Sequence, residues 1–120
     1  IDMKKAFTLP TCKTCVRIFD DLKPEQHGCE VVDIKAEGIA AADLDKMKEL
    51  AGSYEALFSR RAMKFRSMGL ADKALTEQDY RQLILDEYTF LKRPVFLFDE
   101  QVCAGSAKAS VEAARSALNG

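Results

Sequence analysis

The sequence predicts an α/β fold in which one mixed four-stranded sheet is built from a β-α-β unit and a later β-β-α unit. Two observations support this prediction. Short apolar stretches typical of strands occur near both ends of the 120-residue chain. Each unit also contains a segment in which apolar residues recur at helical spacing. Between the units, helical patterns predict an insertion at about residues 40–91. We therefore expect a single domain, residues 1–120, with a helical insertion between its two halves.

The β-α-β unit occupies the first third of the chain. Residues 5–9 form the first predicted strand, and a Pro-Thr turn follows it. From Cys12 onward, three apolar residues recur at helical spacing: Val16, Phe19 and Leu22. After a second turn, residues 30–34 form another strand, which a crossover of this length places parallel to the first.

The insertion and the β-β-α unit complete the chain. Helices are predicted at residues 40–51 (ended by Gly52), 53–57, 61–68 and from Thr76 to about Tyr88. Residues 95–98 and 101–104 form a hairpin, and residues 107–118 form the closing helix. This order of elements is the thioredoxin-fold arrangement.

Composition excludes several classes of function. The net charge is −1, and 48% of residues are hydrophobic, so bulk electrostatics predict no direct nucleic-acid or membrane partner. No apolar stretch is long enough to span a bilayer, and the first residues lack a signal-peptide pattern. Four cysteines are too few for a disulfide-stapled secreted domain. We expect a cytoplasmic protein and take a monomer as the default.

The motif Cys12-Lys13-Thr14-Cys15 lies where the first strand runs into the first helix. Unpaired backbone N–H groups and the helix dipole favour a thiolate at the start of a helix. Cys12 should therefore be the more acidic and reactive cysteine, with Cys15 one turn away. The pattern predicts a redox or thiol-nucleophile site.

Two other interpretations of this pair are inert core thiols and half of a zinc site. The remaining zinc candidates, His27, Cys29 and Cys103, form no second ligand pair, so we expect no metal. Cys29 and Cys103 are interpreted as structural cysteines, with a distant resolving thiol as the alternative. His27, in a turn, is interpreted as a surface residue.

The loop before the third strand contains Arg93-Pro94, and this loop faces the first helix in the thioredoxin fold. An X-Pro bond here is a candidate for the cis isomer, which would direct Arg93 toward Cys12. Arg60 and Arg61 belong to a basic segment and are candidate anion ligands. A solvent-exposed helix face explains the basic residues of this segment equally well.

The chain resembles the ArsC/Spx family of arsenate-reductase-like proteins. Three ordered segments carry the resemblance: Leu9-Pro10-Thr11-Cys12-Lys13-Thr14-Cys15, Leu57 through Leu70, and Leu91-Lys92-Arg93-Pro94-Val95. The resemblance implies that Cys12 attacks an oxyanion that Arg93, together with Arg60 or Arg61, binds. It also implies that glutathione with glutaredoxin, or thioredoxin, restores the thiol as an external reductant, with no bound cofactor.

The chain departs from the reductase pattern at two positions. Reductases of this class often have serine where Cys15 stands, whereas Spx-type regulators have the CxxC pair. The reductases also have an arginine after a glycine beyond the hairpin, but here Gly105 is followed by Ser106, and Lys108 is the nearest cation.

Three hypotheses follow. The first is a thiol-dependent oxidoreductase acting on a small oxyanion or a disulfide, in which Cys15 resolves the Cys12 adduct. The second is a redox-sensing regulator that binds the RNA polymerase α subunit and is switched by a Cys12–Cys15 disulfide. The third is a general glutathione-using thiol reductase on the same fold.

Overall fold

The computed structural model, which describes residues 3–120, contains the predicted mixed sheet. Its four strands are β1 (Lys4–Thr8), β2 (Glu30–Asp33), β3 (Val95–Phe98) and β4 (Val102–Ala104). The strand order is β2-β1-β3-β4. β1 and β2 are parallel, whereas β3 is antiparallel to both β1 and β4. The predicted α/β fold of thioredoxin type is therefore confirmed.

Six α-helices lie within the described residues. They are α1 (Lys13–Leu22), α2 (Ile34–Glu37), α3 (Ala41–Ala51), α4 (Met63–Ser67), α5 (Glu77–Asp86) and α6 (Lys108–Asn119). Four single-turn 3₁₀ segments separate some of them: Pro24–His27, Glu55–Leu57, Leu70–Asp72 and Tyr88–Phe90.

The chain divides into two compact units. The first contains the residues up to Glu37 together with Arg93–Gly120, and the second contains Gly38–Lys92. The second unit has nearly the bounds predicted for the insertion. That residues 1–120 form one domain stays a prediction, and its first two residues lie outside the described part of the chain.

The core of the first unit lies between the sheet and two helices, α1 and α6. Its buried residues come from β1, α1, β3, β4 and α6 and from the residue before β2: Ala6, Ile18, Leu22, Cys29, Phe96, Phe98, Cys103, Ala114 and Leu118. Val16, one of the apolar residues whose spacing predicted α1, is 45% exposed. The buried stripe of α1 instead follows Cys15, Ile18 and Leu22, which also have helical spacing.

The end of β2 also differs from the prediction. Ile34 begins α2 instead of extending the strand. The carboxylate of Asp33 accepts hydrogen bonds from the backbone N–H groups of Lys35 (3.0 Å) and Ala36 (3.1 Å). An aspartate that satisfies these two N–H groups favours a helix start over a longer strand.

The second unit contains a cluster of packed aromatic rings. The ring of Phe58 packs against three neighbours, with centroid distances of 6.0 Å to Phe65, 4.9 Å to Tyr80 and 5.0 Å to Phe90. The predicted helices at residues 53–57 and 61–68 are shorter than expected. Each amounts to about one turn, a length at which tertiary packing rather than propensity decides the bounds.

Helix α5 begins with a capping box that the sequence predicted. The hydroxyl of Thr76 accepts a hydrogen bond from the N–H of Asp79 (3.2 Å), whose carboxylate accepts one from the N–H of Thr76 (2.8 Å). The sequence predicted that this helix extends to about Tyr88. It ends instead at Asp86, and Tyr88 lies in the 3₁₀ turn that follows.

We predict that Thr76→Ala lowers the free energy of unfolding by about 1 kcal/mol, because an N–H group of α5 loses its acceptor. Thr76→Ser keeps the hydroxyl and should retain most of the stability. Urea unfolding followed by circular dichroism compares the two variants with the parent chain. Equal midpoints for Thr76→Ala and the parent would show that the cap contributes nothing.

Candidate active site

The turn between β1 and α1 places Cys12 immediately before the first helical residue. The N–H of Cys12 donates to the carbonyl of Leu9 (2.9 Å), and its own carbonyl accepts from Val16 (3.0 Å). Its backbone is extended, with φ −90° and ψ 115°. The half-buried thiol therefore lies at the positive end of α1, and the first turn of α1 contains no acidic residue.

The surroundings of Cys12 favour the thiolate. Burial opposes ionisation, but the N–H and thiol of Cys15, the Arg93 guanidinium and the N–H of Thr14 together hold the pKa of Cys12 below its ordinary value. The Cys12 side chain makes no helix-capping hydrogen bond. These donors are nevertheless close enough to stabilise negative charge on the sulfur.

Arg93 and Pro94 approach Cys12 from the loop that leads into β3. The Arg93–Pro94 peptide bond is cis, the isomer that the loop sequence suggested. The N–H of Gly105 donates to the carbonyl of Pro94 (2.8 Å), which fixes the loop to the residue after β4. Arg93 has a fully buried Nε, and its guanidinium contributes to the lowered pKa of Cys12. Its positive charge thus favours the thiolate.

Cys15 has the opposite character, because its side chain is completely buried. Burial raises the pKa of the Cys15 thiol, and its interaction with the charge on Cys12 raises the pKa further. Two donors act in the other direction, the backbone N–H of Leu9 and the hydroxyl of Thr8. The site therefore pairs a partly exposed cysteine of lowered pKa with a buried cysteine of raised pKa.

Thr8 is the site residue that the sequence reasoning missed. It ends β1 and is 7% exposed, one of two polar or charged residues among the buried residues of the described chain. In the sequence, Thr8 could have been recognised as a single hydroxyl residue among the apolar residues at the end of the first strand. A buried hydroxyl without a partner is costly, so its presence there points to a partner nearby.

A shallow groove runs along the exposed side of α1, and its lining includes the two residues adjacent to Cys12 in the sequence. It has a volume of about 360 Å³ and is lined by Pro10, Thr11, Lys13, Val16, Arg17 and Asp20. The exposed Val16 supplies an apolar wall, and two cations lie beside it. A smaller cavity of about 160 Å³ lies at the other end of α1, beside Leu22 and Leu118, and is remote from Cys12.

The two other candidate arginines belong to the second unit. Arg60 donates to the carboxylate of Glu55 (2.8 Å) and to the hydroxyl of Tyr80 (2.8 Å), and its guanidinium lies over the Tyr80 ring. Arg61 is exposed, and within residues 3–120 its side chain has no hydrogen bond or ion pair. An oxyanion role for either arginine stays a prediction.

The remaining cysteines lie in the core of the first unit. Cys29 and Cys103 are both buried, and burial raises the pKa of each thiol. His27 is partly exposed, and its carbonyl accepts a hydrogen bond from Lys4 (3.2 Å). Across residues 3–120, the His, Cys, Asp and Glu side chains form no cluster able to hold a metal ion. No helix in this range has the length and apolar character to span a membrane.

The sheet order, the CxxC pair at the start of α1 and the cis-proline loop against it define a protein of thioredoxin-like class. The sequence also matches the ArsC family model over residues 7–114. The chain therefore belongs to the ArsC family.

Several solved structures have a similar fold. An arsenate reductase (ArsC) related protein from Brucella melitensis is 26% identical, with 92% of each chain covered and a TM-score of 0.65. The YffB protein is 24% identical, covering 97% of this chain and 99% of its own, with a TM-score of 0.78. An arsenate reductase from Vibrio cholerae shares the fold at 13% identity and a TM-score of 0.77, covering 92% of this chain and 96% of its own. The sequence matches none of the curated proteins.

We predict that Arg93→Met raises the pKa of Cys12, because the thiolate loses the positive charge that stabilises it while the burial of the thiol remains. At neutral pH a smaller fraction of Cys12 is then ionised, so iodoacetamide modifies it several-fold more slowly. Arg93→Lys keeps a positive charge and should retain part of the effect. The ultraviolet absorbance of the thiolate, followed through a pH titration, measures the pKa directly. An unchanged titration in Arg93→Met would contradict the role of this guanidinium.

Proposed function

We propose that the protein is a thiol-dependent oxidoreductase of arsenate-reductase type, with Cys12 as nucleophile and Cys15 as resolving thiol. One observation carries the proposal: Cys12 lies half-exposed immediately before the first turn of α1, whereas Cys15, three residues further on, is completely buried. The surroundings lower the pKa of Cys12 and raise that of Cys15. Thiolates are the attacking form in such chemistry, so the two cysteines have distinct roles before any substrate binds. Membership of the ArsC family adds to this support.

The proposed reaction with arsenate has two covalent steps. The Cys12 thiolate attacks arsenic(V), a sulfur–arsenic bond forms, and one oxygen leaves as water after protonation. The Cys15 thiolate then attacks the Cys12 sulfur, a disulfide forms, and the electron pair of the sulfur–arsenic bond stays on arsenic. Arsenic gains two electrons and leaves as arsenite, and the two cysteines lose two. Thioredoxin, or glutathione with glutaredoxin, reduces the disulfide from outside.

Guanidinium groups suit the binding of the tetrahedral oxyanion, because their paired donors match two of its oxygens. Arg93 is our first candidate, since its guanidinium contributes to the lowered pKa of Cys12. Arg61 is a better second candidate than Arg60, whose guanidinium is occupied by Glu55 and Tyr80. This assignment to Arg61 also rests on the resemblance of its segment to arsenate reductases.

The groove beside α1 is our candidate for the reductant. A glutathionyl group attached to Cys12 would lie next to Lys13 and Arg17, which can pair with its carboxylates. The exposed Val16 gives the peptide an apolar contact.

We place this reaction in the cytoplasm and propose that the chain acts as a monomer without nucleic acid, bound cofactor or metal.

A regulator of Spx type is the second candidate. It is favoured by Ser106, which is exposed where the reductases have an arginine, and by the CxxC pair itself. In that case the disulfide changes a protein interface and no substrate turns over. Retention of the RNA polymerase α subunit by the immobilised reduced protein, lost on oxidation, would support it. Arsenate turnover by the same preparation would rule against it.

We predict arsenate-dependent NADPH consumption when the reduced protein is coupled in parallel to glutathione with glutaredoxin and to thioredoxin with its reductase. Cys12→Ser should abolish turnover, because the nucleophile is lost. Cys15→Ser should slow it strongly in the thioredoxin assay and accumulate a mixed disulfide that mass spectrometry detects. Cys103→Ser is the matched control, since this buried thiol lies outside the site. Turnover retained in Cys12→Ser would refute the mechanism.

A further inference from the structure

Helix α4 (Met63–Ser67), in the second unit, exposes an unusual amount of apolar surface. None of its 5 residues is buried. Met63, its first residue, is 89% exposed, and Met68, directly after its last residue, is 47% exposed. Within residues 3–120, Val16 of the first unit is the only other large apolar side chain that is exposed. Two of these three side chains therefore lie at the two ends of one short helix.

The orientation of α4 is set by Phe65, whose half-buried ring packs against Phe58 with the ring centroids 6.0 Å apart. Successive residues of a helix turn by about 100°, so Met63, two positions before Phe65, lies on nearly the opposite side of α4. By the same geometry, Lys64 and Arg66 lie on either side of Met63. The outward face of α4 therefore has a methionine in its middle and a cation on each side.

The segment around α4 has a surplus of positive charge. Residues 60–73 contain five Lys or Arg and one Asp, although the net charge of the whole chain is −1. Lys64 is neutralised by the Glu87 carboxylate, 2.9 Å from its Nζ. Arg61 and Arg66 are exposed, and within the described part of the chain neither side chain has an ion pair or a hydrogen bond. Two guanidinium groups beside the methionines are thus available to a partner.

We propose that the α4 surface, defined as Arg61, Met63, Arg66 and Met68, docks an acidic segment of another protein that has large apolar side chains between its carboxylates. Methionine and arginine are both enriched where proteins bind one another, and methionine adapts to partners of different shape. The apolar side chains of the partner contact the methionines, and its carboxylates pair with the guanidinium groups. This inference goes beyond the proposed function and does not depend on it.

The two methionines favour a protein over the other partners that positive charge attracts. Nucleic acids are bound through their phosphates and through bases that stack on aromatic or guanidinium planes, so an outward thioether adds little there. A membrane-binding helix buries a long apolar face, whereas α4 has 5 residues. An acidic protein segment with apolar side chains matches both the charge and the apolar area of the α4 surface.

The test measures binding of a fluorescent peptide of glutamate and leucine, with the leucines at helical spacing, to the reduced full chain. Fluorescence anisotropy should show saturable binding that weakens about tenfold from low to high salt, because exposed charges are screened. A matched peptide with alanine in place of leucine should bind about tenfold more weakly, since it buries no large apolar side chain. Amide chemical shifts measured by NMR should change at residues 61–68.

Variants of the chain locate the binding site. Met63→Ser should weaken binding of the leucine peptide about tenfold, and Arg66→Ser should lower both the affinity and its salt dependence. Val16→Ser and Lys35→Ser are the matched controls, because they remove an exposed apolar side chain and an exposed cation from the first unit. Both controls should bind as the parent does. Circular dichroism checks that every variant is folded.

Several results would overturn the proposal. They are no binding of the leucine peptide, equal affinities for the leucine and alanine peptides, and equal affinities of Met63→Ser and the parent. Tighter binding of a duplex DNA oligonucleotide, or of vesicles of phosphatidylglycerol, would assign the α4 surface to another class of partner. A dimer in sedimentation that Met63→Ser dissociates would show that a second copy of the chain occupies the surface instead.

Discussion

The candidate site depends on the stabilisation of negative charge on the Cys12 sulfur. Burial of the thiol opposes ionisation, so the backbone N–H groups at the start of α1 and the Arg93 guanidinium have to compensate for it. The sheet positions both sets of donors. β1 leads directly to the start of α1, and Arg93 lies in the loop that enters the neighbouring strand β3. Parallel pairing of β1 with β2 and antiparallel pairing with β3 bring these segments together.

The second cysteine shows how one short motif provides two different sulfurs. Cys12 precedes the first turn of α1 and is partly exposed, whereas Cys15 lies on the buried stripe of the same helix with Ile18 and Leu22. A spacing of three residues separates the two side chains by about one turn, close enough for contact. The shift of pKa in opposite directions follows from this difference in position.

Much of the fold and part of the site could be predicted from the sequence. The strand-to-helix turn at Cys12, the hairpin after Pro94 and the capping box at Thr76 each depend on local patterns with a direct physical cause.

Features that depend on contacts between distant segments were harder to predict. Val16 fits a helical stripe as well as Ile18 does, and only packing against the sheet shows which stripe is buried. Threonine is common in strands, and nothing in the segment around Thr8 indicates that its hydroxyl affects the pKa of Cys15. Arg60 and Arg61 are adjacent, and only the positions of Glu55 and Tyr80 distinguish them.

The most direct test of this account is the pH dependence of alkylation of each cysteine in the unmodified reduced protein. Brief treatment with iodoacetamide, followed by peptide mass spectrometry, assigns a rate to every thiol at each pH. We expect Cys12 to react first and to remain reactive below the pH at which an ordinary thiol ionises, because its pKa is lowered. Cys15 should react only at higher pH, since its pKa is raised. Modification of Cys15 before Cys12, or an ordinary thiol titration for Cys12, would contradict the account.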